Sequence, residues 1–280
     1  MSRRSRPSAL ALPVWCLVAG LLAASPAPAA DPADSARVDT EDLPSAGALP
    51  GSGEVLPPSP RAVRPGESLR FSVQYGVIHA GSAWLEVPGA REYEGRPVVM
   101  LVARAESNGF FSSFYKVRNR IESYWDSTGH YSLRYTEKRR EGKYHAESDI
   151  RFDYDRQEAV YKDGRTFPIP PNVQDALSSF YYTRLQALPL GGSVMFDYHA
   201  SKKSAPMEVR VLGRQKVKTP AGTFSCVAIE PVLKAGGIFK NKGRLVIWLT
   251  DDERRMPVLM KSKVAIGSIS VILEEAHTGG

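Results

Sequence analysis

The side chains that could do chemistry are few and scattered. His79, His130, His145 and His199 lie far apart, with no H-x-x-x-H or H-E pairing. A metal site needs ligands that converge at set spacings, and Glu147 and Asp149 beside His145 are too thin a set. Neither a metal nor a cofactor is expected. No G-x-S-x-G elbow occurs, and Ser178 and Ser179 have no base in view. Cys226 lies in the strand-like run Phe224–Ile229, with no local histidine to lower its pKa, and reads as a small buried hydrophobe. Asp251 and Asp252 are the only adjacent carboxylates with an apolar run on either side. Acid–base pairs need separated groups in different environments. These two read as solvated turn residues. Asp175 and Arg184 are nine apart, too far for one helical contact, so each is expected to anchor to something else. A hydrolase working on glycan or peptide through Asp251, Asp252, Asp175 or Glu147 is the alternative that these residues leave open.

The aromatic side chains give the stronger hint. Trp84, Phe110, Phe111, Phe180, Tyr181, Phe239 and Trp248 include several on loops or on the second face of strands. Together they form the candidate lining of an apolar ligand site. Large aromatics also fill cores, and that reading stands beside the first.

The elements that must position these residues are mostly strands. Leu69, Phe71, Val73 and Tyr75 alternate with polar residues, the period of two of a half-buried strand. Val117, Asn119, Ile121, Ser123 and Trp125 alternate against Arg118, Arg120, Glu122 and Tyr124. Glu141-Gly142 and Asp163-Gly164 mark hairpin tips, and Thr219-Pro220-Ala221-Gly222 marks another. Pro88-Gly89 is expected to end a strand. One helix is expected from Val173 to Leu188, with Asn172 as N-cap and Asp175 in its first turn. Arg244–Glu274 reads as closing strands, with Leu245, Ile247 and Leu249 on one face and Val246 and Trp248 on the other. The expected fold is mainly β: a single large curved antiparallel sheet, an open or half-closed barrel, with one main amphipathic helix on its concave side.

Asp175–Arg184, Lys218–Phe224 and Leu245–Val258 resemble three short patterns: D-x-L-S-x-x-Y-x-x-R, T-P-A-G-x-F and I-W-L-S-D-D…R-x-P-V, with Thr250 at the serine of the last. Together, in this order, they resemble the uncharacterised bacterial family known as domain of unknown function 3108 (DUF3108). The resemblance covers about residues 65–275. It implies an exported protein of Gram-negative bacteria with no established activity. It also implies a curved sheet with an internal helix, similar to that of periplasmic lipoprotein carriers.

Residues 1–29 read as a signal peptide: Arg3, Arg4 and Arg6, then the apolar run Leu10–Ala24, then Ala27-Pro28-Ala29. Its removal lowers the formal charge from +7 to +4, a mild excess that suits weak attraction to anionic surfaces. It does not point to nucleic acid. Residues 30–64 are rich in Pro, Ala and Ser and are expected to be a disordered tail. The β domain is expected over 65–276, with 277–280 frayed. The sequence therefore points to a periplasmic protein that binds a lipid or another apolar or amphipathic envelope molecule, with peripheral membrane contact a further option. A scaffold that lends its edge strands to a partner is the third reading.

Overall fold

The computed structural model describes residues 43–44, 53–233, 244–263 and 268–279. The first half of the chain carries β1 (Val55–Leu56), β2 (Glu67–Tyr75), β3 (Ile78–Tyr93), β4 (Arg96–Ser107), α1 (Gly109–Ser112), β5 (Val117–Asp126), β6 (Ser132–Glu141), β7 (Tyr144–Asp153), β8 (Glu158–Tyr161) and β9 (Thr166–Pro168). The second half carries α2 (Ser178–Leu185), β10 (Leu188–Pro189), β11 (Ser193–Ala200), β12 (Lys203–Thr219), β13 (Gly222–Leu233), β14 (Leu245–Thr250), β15 (Pro257–Lys263) and β16 (Ser268–Thr278).

Fourteen strands form one antiparallel sheet in the order 11-12-13-14-15-16-2-3-4-5-6-7-8-9. The order is a meander in which β16 pairs with β2. The sheet is open between β9 and β11, where the chain leaves it to lay α2 inside. The expected half-closed barrel is therefore the fold. Both of its open edges are touched at one point each. Gln174 bridges to Tyr198 of β11, with Gln174 N–H donating to Asp197 O at 2.9 Å. Across the gap Ser204 Oγ donates to Pro168 O at 3.1 Å.

The alternation seen in the sequence explains the core. Ile229, Ile247, Met260, Val271 and Val73 are cross-strand partners in one continuous row on the concave face. Ala228, Trp248, Leu259 and Ile272 form the matching row on the convex face. That second face is buried as well, because the β12–β13 hairpin bends at a bulge between Val211 and Gly213 and brings β12 against β15 and β16. All six residues of β14 are consequently buried. Each large apolar side chain so buried is worth about 1.5–3 kcal/mol relative to exposure.

Four expectations need correction. Pro88-Gly89 does not end a strand; β3 continues through it with a register shift between Glu86 and Gly89. Proline lacks the N–H that the ladder would need, and a bulge accommodates it. The helix is shorter than its apolar spacing suggests. Asn172 sits at φ 56°, and Ser132 N–H donates to Val173 O at 3.1 Å, so 172–175 closes the gap between β6 and β11 rather than starting the helix. Asp175 still caps it: its Oδ1 accepts the N–H groups of Leu177 and Ser178, both at 2.8 Å. Nor is α2 amphipathic in use, since seven of its eight residues are buried; the sheet wraps it on nearly every side.

The folded unit also reaches beyond 65–276 at both ends. Val55 and Leu56 pair with Pro189 and Leu188, Ala62 is buried, and Ser59 N–H donates to Leu185 O at 2.9 Å. Residues 1–42 and 45–52, the expected leader and much of the expected tail, lie outside the described residues. Carbonyls of the described part accept from buried arginines: Arg184 Nη2 donates to Ala62 O at 2.5 Å, and Arg255 Nη2 donates to Pro57 O. At the other end His277 and Thr278 pair with Ser68 and Glu67, so the strand runs on where fraying was expected.

Candidate ligand-binding site

An apolar cavity of about 60 Å³ lies between the start of the helix and the sheet. Ala176, Leu177 and Phe180 form its roof, and Ala83, Leu85, Ala103, Ile247 and Met260 part of its wall. The residues are there for two reasons. The period of two places Ala83, Leu85 and Ala103 on the concave face. Asp175, fixed by its caps and by Ser123 Oγ at 2.5 Å, sets where Leu177 and Phe180 point. The small side chains of Ala83, Ala103 and Ala176 leave the space that larger ones would fill.

Arg104 pairs with Trp84 and alternates with Ala103, so its side chain lies on the convex face, behind the cavity wall. It holds Glu86 by two hydrogen bonds, 3.0 and 2.8 Å, and its guanidinium carbon lies 4.8 Å from the centroid of Trp84. The Glu86 carboxylate raises the Arg104 pKa further against the opposing effect of burial. Arg104 is therefore a fixed positive charge on the outer face of the sheet, and the cavity lining is apolar.

The structure gathers only part of the aromatic candidate set. Phe180 lines the cavity, whereas the Trp84 side chain lies on the opposite face of the same strand, under Arg104. Tyr181 faces away from the cavity, stacked edge-on against Phe180 at 5.5 Å and lying 5.2 Å from the Arg184 guanidinium. Its hydroxyl is buried without a hydrogen-bonding partner among the described residues, and burial raises its pKa. Trp248 is buried on the convex face, where its Nε1 donates to Gln215 Oε1 at 2.9 Å. Phe110 and Phe111 sit on α1 at one rim of the sheet. Phe239 lies outside the described residues.

The carboxylates considered for hydrolysis belong to separate networks. Asp251 pairs with Arg214 at 2.6 Å. Asp252 caps its turn, accepting from Thr250 Oγ1 at 2.7 Å and Arg254 N–H at 3.0 Å. Partial burial pulls the Asp252 pKa up, but these bonds and the Arg254 charge hold it below the usual range. Arg255 reaches Asp252 only through its backbone N–H; its guanidinium bonds to carbonyls of Pro57, Arg184 and Gln186. Asp175 is sealed inside, and burial raises its pKa against four hydrogen bonds. Glu147 meets Lys162 at 3.2 Å on the exposed convex face. Among the described residues no group of three His, Cys, Asp or Glu side chains is placed to hold a metal ion.

Two buried polar networks were not foreseen. On β6, Glu137, Arg139 and Glu141 all face inward with Asn119 of β5. Arg139 Nη2 bonds Glu141 Oε2 at 2.7 Å, while its Nε lies 3.8 Å from Glu137 Oε1. Burial pushes the Glu137 pKa up to about 7, more than Arg139 lowers it. The alternation Leu133, Tyr135, Glu137, Arg139, Glu141 carried this signal, but charged residues near a hairpin tip read as solvated.

The second network clasps the open seam. His199 Nδ1 lies 2.9 Å from Ser204 Oγ, and its Nε2 lies 2.9 Å from Tyr161 Oη. Ser204 gives its proton to Pro168 O, so it accepts from His199 Nδ1–H; Tyr161 then donates to Nε2 and accepts from Lys202 N–H at 2.8 Å. Every proton is committed, which makes His199 a cross-link rather than a base. Burial lowers its pKa to about 4.

An open antiparallel barrel-like sheet, plugged by a buried helix and retaining a small apolar cavity, defines the class of protein. The chain belongs to the family described as protein of unknown function (DUF3108), whose model matches residues 70–274. No curated protein matches it. Among solved structures it is similar to a beta-barrel-like protein of domain of unknown function DUF1849 from Brucella abortus. That similarity has 11% identity and a TM-score of 0.52 over 77% of this chain and 98% of that one. Looser similarity, at TM-scores of 0.34 and 0.31 and 12% identity each, extends to two further proteins. A predicted lipoprotein from Parabacteroides distasonis matches over 79% of this chain and 97% of its own. A predicted exported protein from Bacteroides fragilis matches over 76% and 96%.

Proposed function

We propose that this is an exported periplasmic binding protein that takes the apolar end of an amphipathic envelope molecule into the cavity beneath α2. The single observation that carries this reading is the cavity itself, lined by apolar side chains beneath α2. A space of about 60 Å³ suits a small apolar group or the tip of an alkyl chain. Sites for drug-sized ligands run to ~300–1,000 Å³, so a whole lipid would need α2 to move. Export rests on the leader pattern of residues 1–29. The carboxylates available for catalysis are each bound in structural pairs or caps, which favours binding over hydrolysis.

Native mass spectrometry of the protein purified from the periplasmic fraction tests the reading. The expected result is a bound alkyl-bearing species that is lost from an Ala83→Leu variant. Apo protein in both samples, with no uptake of added decanoate, would contradict it.

A further inference from the structure

A second surface carries an inference independent of the cavity. Among the described residues six large apolar side chains are exposed, and four of them meet at one rim of the sheet. Val77 and Ile78 form the β2–β3 turn, 81% and 50% exposed; Phe110 and Phe114 flank α1, 69% and 52% exposed. The two pieces are tied together: Asn108 N–H donates to Ala80 O at 2.9 Å and Asn108 Nδ2 to His79 O at 2.7 Å. Phe110 stacks edge-on against Phe114, with centroids 5.4 Å apart, and Phe111 anchors the group by packing against the second core. These are fixed, water-facing aromatics, and such patches mark contact surfaces.

Charge beside them is one-sided. Lys116, Arg118, Arg140 and Lys143 are all exposed, and Gly142 N–H donates to Lys116 O at 2.8 Å, which brings the β6–β7 turn to the same rim. Arg118 stands directly opposite Arg140, and Arg140 opposite His145. Like charges placed opposite each other destabilise a sheet. Glu106, opposite Arg118 on its other side, offsets part of this charge at 3.8 Å, while Glu141 points inward to Arg139 and leaves Arg140 without an acid opposite it. An anionic partner would relieve this repulsion.

We propose that this rim docks on an anionic bilayer surface, with Phe110, Phe114, Val77 and Ile78 entering the interface and Arg118, Arg140, Lys116 and Lys143 facing lipid phosphates. The combination of protruding aromatics with basic side chains is the pattern of interfacial binding. The apolar tips project from short turns rather than line a groove, which fits a planar lipid surface better than a folded protein.

Vesicle flotation tests this with the chain as the host processes it. Vesicles of phosphatidylcholine with roughly 30% phosphatidylglycerol should retain the protein at low salt, and pure phosphatidylcholine should not. Phe110→Ser/Phe114→Ser and Arg118→Glu/Arg140→Glu should each weaken retention by about tenfold or more, while melting as wild type does because these side chains are exposed. No retention on anionic vesicles overturns the proposal. So does retention that both variants share, or retention by neutral vesicles as strong as by anionic ones. Capture by polyglutamate without vesicle binding would assign the rim to an acidic protein and overturn it too.

Discussion

Arg184 on α2 and Glu67 at the start of β2 meet in a two-point ion pair, 2.7 and 2.6 Å, with neither side chain reaching solvent. The remaining Arg184 bonds go to the carbonyls of Ala62 and Arg254. One guanidinium thus ties the helix, the segment before β2 and the β14–β15 turn together. The other end of α2 is held by Asp175 on Ser123. The roof of the cavity is pinned at both ends.

A buried ion pair broken on one side leaves an uncompensated charge, which costs about 3–5 kcal/mol. Glu67→Gln and Arg184→Met should each lower urea-unfolding stability by that order. The double variant Glu67→Leu/Arg184→Leu should lose clearly less than the sum of the singles. Additive losses would show that the two residues act separately.

Two buried groups should give stability a pH dependence of opposite signs. His199 has its pKa lowered from 6.5 to about 4. Below pH 6.5 the unfolded chain takes up a proton that the folded seam refuses. Its contribution is therefore full above pH 6.5 and falls away as the pH drops toward 4, by about 3 kcal/mol in all. Glu137 has its pKa raised from 4.5 to about 7; its contribution is full below pH 4.5 and is lost as the pH rises through 7. Urea melts across pH 4–8 should show the acid-side loss shrink in His199→Gln and the neutral-side loss shrink in Glu137→Gln. Unchanged profiles would show that these groups do not titrate in the folded interior.

Cys226 is buried, and burial pushes its thiol pKa up to about 12, with Asp251 and Asp252 adding to the rise. Thiolate is the reactive form. Native protein should resist a disulfide reagent at pH 8 and react only as it unfolds in urea. Prompt labelling of folded protein would contradict the packing of β13 against β14.

The strands were legible because one buried face imposes a period of two, and β5 shows it residue by residue: Val117, Asn119, Ile121, Ser123 and Trp125 are all buried. The anchoring roles of Asp175 and Arg184 followed from their spacing alone. The two layers around β14 were half legible. Val246 and Trp248 were set on a separate face, but a bulge at Val211 and Gly213 decides what covers that face. The early segment misled because composition reports the entropy cost of ordering a chain and not the arginines waiting for its carbonyls. The seam of His199, Tyr161 and Ser204 was invisible, since it joins strands far apart in the chain through contacts that have no local spacing. Phe180 was picked out by residue type, whereas the alanines that create the space carry no signal of their own.

The cavity is tested most directly by filling it. Calorimetric titration of decanoate into wild type should give binding with a negative heat-capacity change, the mark of apolar burial. The variant Ala83→Leu/Ala103→Leu should lose that binding by about tenfold or more while still melting cooperatively. Equal binding by the filled variant, or no binding by the wild type, would contradict the account.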